Sequence, residues 1–463
     1  MNSPIDVVIM AAGKGTRMKS RSPKVLHRLA GRPLLAHVMS AVAAVDARNV
    51  VVITGNGAAD VEAAVSTWGG KAPQFVRQEP QLGTGHAVQQ AAPKLADDGI
   101  ALILNGDVPL VSAQTLQELV RACGGERLAL LTIDLDDPAG YGRILREGDA
   151  VRGIVEHKDA SERQRAIREI YTGFMAAPTK LLKPWLAKLT NDNAQGEYYL
   201  TDVVALAVED RTQVVAVKAG QAIEVEGVNS PMQLAALERA HQKREAERLM
   251  EQGVRFADPA RFDVRGTLEC GQDVEIDVNC VFEGAVKLGD GVRIGANCVI
   301  ANAAIAAGAV IHPFTHIDGE KAGVQVGEGA LVGPFARLRP GAILGAEVHI
   351  GNFVEVKNST LAKGAKANHL AYLGDATVGE RVNYGAGSIP ANYDGANKHR
   401  TVIEADVHVG SNCVLVAPVK VGAGGTVGAG SVITKDTPPG ALSIARGRQA
   451  SIANWQRPKK DKK

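Results

Sequence analysis

Through the first half of the chain, short apolar runs bounded by turn residues alternate with segments of helical period. Asp6-Val7-Val8-Ile9-Met10, Val50-Val51-Val52-Ile53 and Ile100-Ala101-Leu102-Ile103-Leu104 read as buried strands, with helices over residues 34–45 and 60–68 between them. Continuous apolar strands interleaved with helices predict a mostly parallel sheet covered on both faces, an α/β domain of Rossmann-like kind. Residues 232–252 are rich in Ala, Leu, Glu, Lys and Arg and lie between Pro231 and Gly253. They predict one connecting helix of about 20 residues, about 30 Å long.

After Gly253 the period changes to six. Aliphatic or aromatic residues recur at Ile276, Phe282, Leu288, Ile294 and Ile300, again from Val326 through Val332, Leu338, Leu344 and Ile350 to Val356, and again from Val409 through Leu415, Val421 and Val427 to Ile433. Neither a helix nor a strand has that period. A three-sided parallel β-helix does, with one hexad per face, its aliphatic residue turned to the axis and Gly at the corners. The period fails at residues 318–323, 358–361 and 391–405, and interruptions of a stacked repeat are where binding or catalysis is expected. The predicted organisation is therefore an α/β domain over 1–231, a linker helix over 232–252 and a β-helix domain over 253–463 with a basic tail.

Composition agrees with this division. Of 463 residues, 45% are hydrophobic but only 4% aromatic, and 51 are glycine, which suits an aliphatic core with many tight corners. A formal net charge of +2 gives no reason to expect nucleic acid or a membrane surface as partner. The tail Arg457-Pro458-Lys459-Lys460-Asp461-Lys462-Lys463 reads as solvated. The five cysteines form no metal-ligand spacing, and Cys280, Cys298 and Cys413 take the small fifth position of their hexads, as packing residues in a reducing cytoplasm. No stretch is apolar enough for a signal peptide or a membrane span.

The first strand runs into Ala11-Ala12-Gly13-Lys14-Gly15-Thr16-Arg17-Met18, with Pro23-Lys24 following. Glycines at the carboxyl end of a strand let backbone N–H groups approach phosphate oxygens, which Lys14, Arg17 and Lys24 neutralise. Met18 stands where a dinucleotide fingerprint has its third glycine, and no P-loop motif occurs, so neither NAD nor a P-loop NTPase is favoured. Asp107, at the end of the strand before Pro109, can hold Mg²⁺ against phosphate, although an Asp at a turn more often only caps the next segment.

Together with Gln81-Leu82-Gly83-Thr84-Gly85, Gly106-Asp107, Gly140-Tyr141-Gly142-Arg143, Glu156-His157-Lys158 and Glu226-Gly227-Val228-Asn229, this ordered set resembles the sugar-nucleotide pyrophosphorylases. The resemblance implies that a sugar 1-phosphate attacks the α-phosphate of UTP in line and pyrophosphate leaves, chemistry that relies on positioning and charge neutralisation. It implies Arg17 and Lys24 as the catalytic residues stabilising the triphosphate, Asp107 and Asn229 as Mg²⁺ ligands, and Gln78, Gly83 and Thr84 against uracil. Met10, Ala11, Ala12, Gly13, Asn105 and Gly106 would complete the nucleotide contacts, with Gly142, Glu156 and Tyr171 facing the sugar. The sequence departs from the family at Tyr171, where Asn is usual.

In the repeat, Asn368-His369-Leu370 lies near the second interruption and Asn392-Tyr393-Asp394-Gly395-Ala396-Asn397-Lys398 forms the third. A histidine titrating near neutrality can take a proton from an amine that attacks a thioester, whereas a single His on a rung is more commonly packed or solvated. With Phe335-Ala336-Arg337-Leu338-Arg339-Pro340-Gly341 and Gly351-Asn352-Phe353-Val354-Glu355-Val356-Lys357, these segments resemble the bifunctional N-acetylglucosamine-1-phosphate uridyltransferase/glucosamine-1-phosphate acetyltransferases, over essentially the whole chain. That family supplies UDP-N-acetylglucosamine for peptidoglycan and lipopolysaccharide in bacteria. The resemblance implies a left-handed coil assembled as a cytoplasmic homotrimer, with UTP and acetyl-CoA as co-substrates. It implies His369 as general base, Arg339, Lys357, Tyr372, Asn383 and Lys398 on glucosamine 1-phosphate, and Ala386, Asn392, Tyr393, Ser411, Ala429 and Arg446 on acetyl-CoA. The alternatives are a single-activity sugar-1-phosphate nucleotidyltransferase whose β-helix serves assembly or regulation, and a non-enzymatic scaffold.

Overall fold

The computed structural model describes residues 3–458, and the end of the basic tail, from residue 459, lies outside the described residues. Two compact units, Met1–His241 and Gln242–Lys463, make up the chain.

In the first unit the apolar runs form β1 (Ile5–Met10), β2 (Asn49–Thr54), β3 (Gln74–Arg77), β4 (Ile100–Asn105) and β5 (Leu128–Asp134), followed by β6 (Glu169–Pro178) and β7 (Val214–Lys218). Their order in the sheet is β7-β5-β6-β4-β1-β2-β3. Only β6 runs antiparallel to its neighbours in this row, so the sheet is mostly parallel, as predicted. Alternate residues of each strand serve opposite faces. Val7, Ile9, Val52, Leu102 and Leu104 pack under the helices Leu34–Ala43 and Ala113–Cys123. Val8, Val51, Ile53, Ala101 and Ile103 pack under Thr84–Ala91 and Thr179–Lys188. From β1 the chain first builds outward through β2 and β3, then returns to place β4 on the other side of β1. The carboxyl ends of β1 and β4, at the paired residues Met10 and Asn105, therefore flank the switch point where open α/β sheets bind ligands.

The predicted connecting helix spans Pro231–Glu251, 21 residues, with Pro at its first position. Leu237 is buried with Met18, Leu29 and Leu34 of the first unit, and Ala246 and Leu249 belong to the core of the second.

The second unit is the parallel coil. Ile276, Ile294, Ile311, Val332 and Ile350 stack along one face, and Phe282, Ile300, Ile317, Leu338 and Val356 along the next. All are buried in one continuous core. The thiols of Cys280, Cys298 and Cys413 donate to the carbonyls of Gly295, His312 and Gly428 at 3.2, 3.2 and 3.3 Å. Burial pushes the Cys280 thiol up to about 12, so the fifth-position cysteines are packing residues.

The interruptions differ in kind. Residues 391–400 form a true insertion between the strands Ile389–Ala391 and Thr401–Ile403. At 358–361, one of the interruptions expected to carry binding, the structure has no inserted loop between the strands Glu355–Lys357 and Thr360–Leu361. The turn there is one residue short, with Asn358 left-handed at φ 44° and Leu361 buried on the third face. Asn302 and Asp375 shorten two other turns at the same corner, with φ 48° and 52°.

Candidate active sites

At the switch point of the first unit, a cleft of about 460 Å³ is lined by Met10, Ala11, Ala12, Gly13, Lys14, Arg17, Lys24, Gln78, Gly83, Thr84, Asn105, Asp107 and Asn229, with Gln81 and Glu197. Nearly every nucleotide-site residue named from the sequence thus faces one space. The loop after β1 stays close to Lys24 because Gly15, at φ 59°, has no Cβ; one would lie 2.8 Å from Lys24 Cβ. The Lys24 ammonium pairs with the Asp107 carboxylate and also donates to Asn229 Oδ1 at 3.2 Å. Asn229 is brought there by the segment before the Pro231 helix, where Val228 N donates to the carbonyl of Asp107 at 2.9 Å.

Gln78 is buried, and its amide donates to the Gly83 carbonyl at 2.9 Å, fixing the second glycine loop. Gly83 has φ 110°, and a Cβ there would meet the Tyr198 carbonyl at 2.6 Å. Gly106 N donates to the carbonyl of Met10 at 3.0 Å and closes the floor between β1 and β4.

A second cavity of about 210 Å³ adjoins the first, sharing Met10, Thr84 and Asn105, and adds Gly142, Glu156, Tyr171 and Thr201. Thr201 Oγ1 donates to Glu156 Oε1 at 3.0 Å, a partner with no signal in the sequence. Burial raises the Glu156 carboxyl above its ordinary value, against the lowering effect of that hydrogen bond. The Tyr171 hydroxyl is buried beside Glu156 and has no hydrogen-bond partner. Tyr171 is thus in the wall of the sugar-sized cavity despite its departure from the family pattern.

In the second unit, His369 ends the strand Lys366–His369 and is exposed. Its Nδ1 lies 2.9 Å from Asn352 Oδ1, on the rung below. An amide oxygen only accepts, so this contact suits the tautomer with its proton on Nδ1 and leaves Nε2 as the ring's acceptor. Sequence reasoning assigned Asn352 no role; its signal is the stacking of one coil on the next, 17 residues apart.

Leu370 turns the corner at φ 49°, and the strand Tyr372–Gly374 follows, stacked on Glu355–Lys357 of the preceding rung with Lys357 paired to Gly374. Arg339, Lys357, Tyr372 and Lys398 gather here. Arg339 donates to Glu355 at 2.8 Å, and its guanidinium also feels Tyr372 and Glu320. The neighbouring Lys398 ammonium pulls the Lys357 amine below its ordinary value, with Arg339 acting the same way and Asp375 opposing. Asn383 is not in this cluster; it lies on another face, paired with Lys366 and His408.

Of the positions that the resemblance assigns to acetyl-CoA, Ala386, Ser411 and Ala429 stack on successive coils, linked where Asn412 N donates to Ala386 O and Gly430 N to Ser411 O, both 2.8 Å. Arg446 donates to the carbonyl of Ala429 at 2.7 Å. Asn392 and Tyr393 sit on the insertion instead, which braces itself. Asp394 accepts from the N–H groups of Ala396 and Asn397 at 2.8 and 2.6 Å and meets His399 Nε2 at 2.7 Å, while the Tyr393 hydroxyl donates to Gly395 O at 2.6 Å.

A cleft lined by glycine loops on a Rossmann-like sheet, and a hexapeptide coil that carries an exposed histidine, are the two parts of a transferase. Residues 7–256 match the MobA-like NTP transferase domain family. Residues 269–302, 323–358 and 400–435 match the bacterial transferase hexapeptide family, and the gap at 359–399 contains the Asp375 turn and most of the insertion. The Bifunctional protein GlmU of Polaromonas naphthalenivorans is 74% identical, aligned over 99% of this chain and 98% of its own length. Those of Acidovorax ebreus and Herminiimonas arsenicoxydans are 70% and 55% identical, each over 99% of this chain and 99% and 100% of their own lengths. The chain belongs to the GlmU family of bifunctional enzymes, in which a nucleotidyltransferase domain precedes a hexapeptide-repeat acetyltransferase domain.

Proposed function

We propose that the β-helix domain acetylates glucosamine 1-phosphate with acetyl-CoA and that the α/β domain then couples the product to UTP, giving UDP-N-acetylglucosamine and pyrophosphate. The observation that carries the first half is His369 with Asn352 behind it. His369 Nε2 takes the proton as the amine attacks the thioester carbonyl; the C–N bond forms, the C–S bond breaks and CoA leaves as its thiol. Arg339, Lys357 and Lys398 hold the sugar phosphate, with Tyr372 and Asn383 on the sugar. Ala386, Asn392, Tyr393, Ser411, Ala429 and Arg446 receive the acetyl-CoA.

In the α/β cleft, Arg17 and Lys24 neutralise the triphosphate as a phosphate oxygen of N-acetylglucosamine 1-phosphate attacks the α-phosphorus and pyrophosphate departs. Gln78, Gly83 and Thr84 take the uracil, and Gly142, Glu156 and Tyr171 the sugar. Asp107 and Asn229 suit Mg²⁺: their two hard oxygens already converge on one cationic group, the Lys24 ammonium, and Mg²⁺ takes few protein ligands beside phosphate oxygens. Bound there, Mg²⁺ supplies charge neutralisation to the phosphates.

We read the working form as a cytoplasmic homotrimer. Phe314, Phe335, Phe353 and Leu370, each roughly half exposed or more, form a column at one corner, the rings stacked at 5.0 and 5.4 Å. Such a column invites burial against further copies of the chain. The acetyl-transfer residues lie on different faces of one coil, and packing of copies would complete the site. No helix among the described residues is long and apolar enough to cross a membrane.

The test is to supply purified protein with glucosamine 1-phosphate, acetyl-CoA, UTP and Mg²⁺. Release of CoA thiol followed by pyrophosphate supports the reading. Pyrophosphate from glucose 1-phosphate with no thiol release would favour a single-activity nucleotidyltransferase.

A further inference from the structure

The corner that carries the paired lysines is built around a carboxylate with no role in the chemistry described so far. Asp375 is buried, 7% exposed, in one of the shortened turns. Its Oδ1 accepts from Asn358 Nδ2 at 2.5 Å and its Oδ2 from Asn392 Nδ2 at 2.6 Å. Its backbone N donates to Lys357 O at 3.1 Å, and its carbonyl accepts from Thr401 N at 3.2 Å.

Asn392 and Thr401 stand at the two ends of the insertion. One residue therefore ties both feet of the loop to the coil, and through Lys357 O to the rung below. The side chains of Lys357 and Lys398 lie in its field: Asp375 raises both amines, whereas Lys398 and Arg339 lower Lys357. A buried carboxylate is costly unless hydrogen-bonded and compensated. Two amide donors and two neighbouring lysines supply both conditions, and in return the lysines can stand side by side before any phosphate arrives.

We propose that Asp375 is a positioning residue for acetyl transfer: it anchors the loop that presents Tyr393 and Lys398, and it holds the Lys357 and Lys398 amines together where the sugar phosphate binds. This rests on the assignment of those lysines to the phosphate under the proposed function. Asp375 touches neither substrate. Its loss misplaces the groups that do, so it acts on substrate binding more than on the proton transfer at His369.

Steady-state thiol release by the full chain tests this with Asp375→Asn, which keeps size and one acceptor but removes the charge. The KM for glucosamine 1-phosphate should rise about tenfold or more with kcat within about threefold, and uridylyl transfer should not change. Asn392→Ala should raise the KM for glucosamine 1-phosphate as well as that for acetyl-CoA, and on glucosamine 1-phosphate the double variant should cost no more than the worse single one, because both break the same anchor. An unchanged KM in Asp375→Asn, a loss confined to kcat or to melting temperature, or additive effects in the double variant would each overturn the proposal. If the unsubstituted protein itself releases no thiol, the reading of the site fails and this proposal with it. An active parent with an indifferent Asp375→Asn sinks only the role of Asp375.

Discussion

The Lys24 ammonium bridges the Asp107 carboxylate and the amide oxygen of Asn229, the latter at 3.2 Å. Two oxygens from distant parts of the chain thus meet at one positive charge inside the nucleotide cleft. With UTP bound, Mg²⁺ should take those oxygens and free Lys24 for the phosphates. Chelation by EDTA should therefore lower pyrophosphate release by at least about 100-fold while leaving thiol release within about twofold. Metal-independent uridylyl transfer would contradict the assignment.

Gly83 offers a sharper steric test. At φ 110° and with the Tyr198 carbonyl 2.6 Å from any Cβ, Gly83→Ala must move the loop proposed to face the uracil. The expected result is a fall of about tenfold or more in kcat/KM for UTP, with thiol release spared. Wild-type uridylyl transfer in this variant would place the base elsewhere.

Tyr171 carries an unpartnered buried hydroxyl. Tyr171→Phe removes that orphan, so the urea midpoint should hold or rise, by about 1 kcal/mol in stability. If the hydroxyl serves the sugar, the KM for N-acetylglucosamine 1-phosphate should rise in the same variant. An unchanged KM would assign the phenol to the wall alone.

His37 gives the first unit an acid sensitivity of its own. Burial pushes its imidazole down to about 4 from 6.5, against a hydrogen bond with the Leu29 carbonyl. Below pH 6.5 the unfolded chain takes up a proton that the folded one refuses. The contribution of His37 is therefore intact above that value and is lost as pH falls toward about 4. Relative to His37→Gln, the parent should lose about 2 kcal/mol between pH 7 and 4.5, read from urea midpoints by tryptophan fluorescence. A constant difference across that range would contradict the burial argument.

The fold was legible where one period ran unbroken. Val7 to Ile9 and Ile276 to Ile300 announced sheet and coil because each apolar residue had one place to go. The coil was lost to sequence reasoning between Ile300 and Val326, although Ile305, Ile311 and Ile317 are buried there. A single shortened turn at Asn302 shifts the frame by one residue, and a strict period of six counted from Ile300 then misses Ile305, Ile311 and Ile317. The same turn chemistry hid Asp375. Its neighbours Asn358 and Asn392 are each 17 residues away, and only stacked coils bring them together. The residues that line the cleft of the first unit were legible because most sit in or beside glycine loops at strand ends. Thr201 and Asn352 were not, since each acts by supporting another side chain across a distance that local pattern does not encode.

Under the proposed function two separable chemistries share this chain, one depending on His369 and the other on Asp107. The most direct measurement follows thiol release from acetyl-CoA with glucosamine 1-phosphate, and pyrophosphate release from UTP with supplied N-acetylglucosamine 1-phosphate, in His369→Ala and Asp107→Ala side by side. His369→Ala should lose thiol release by about 100-fold or more and keep pyrophosphate release, and Asp107→Ala should do the reverse. Loss of both activities in either variant, or of neither, would contradict the account.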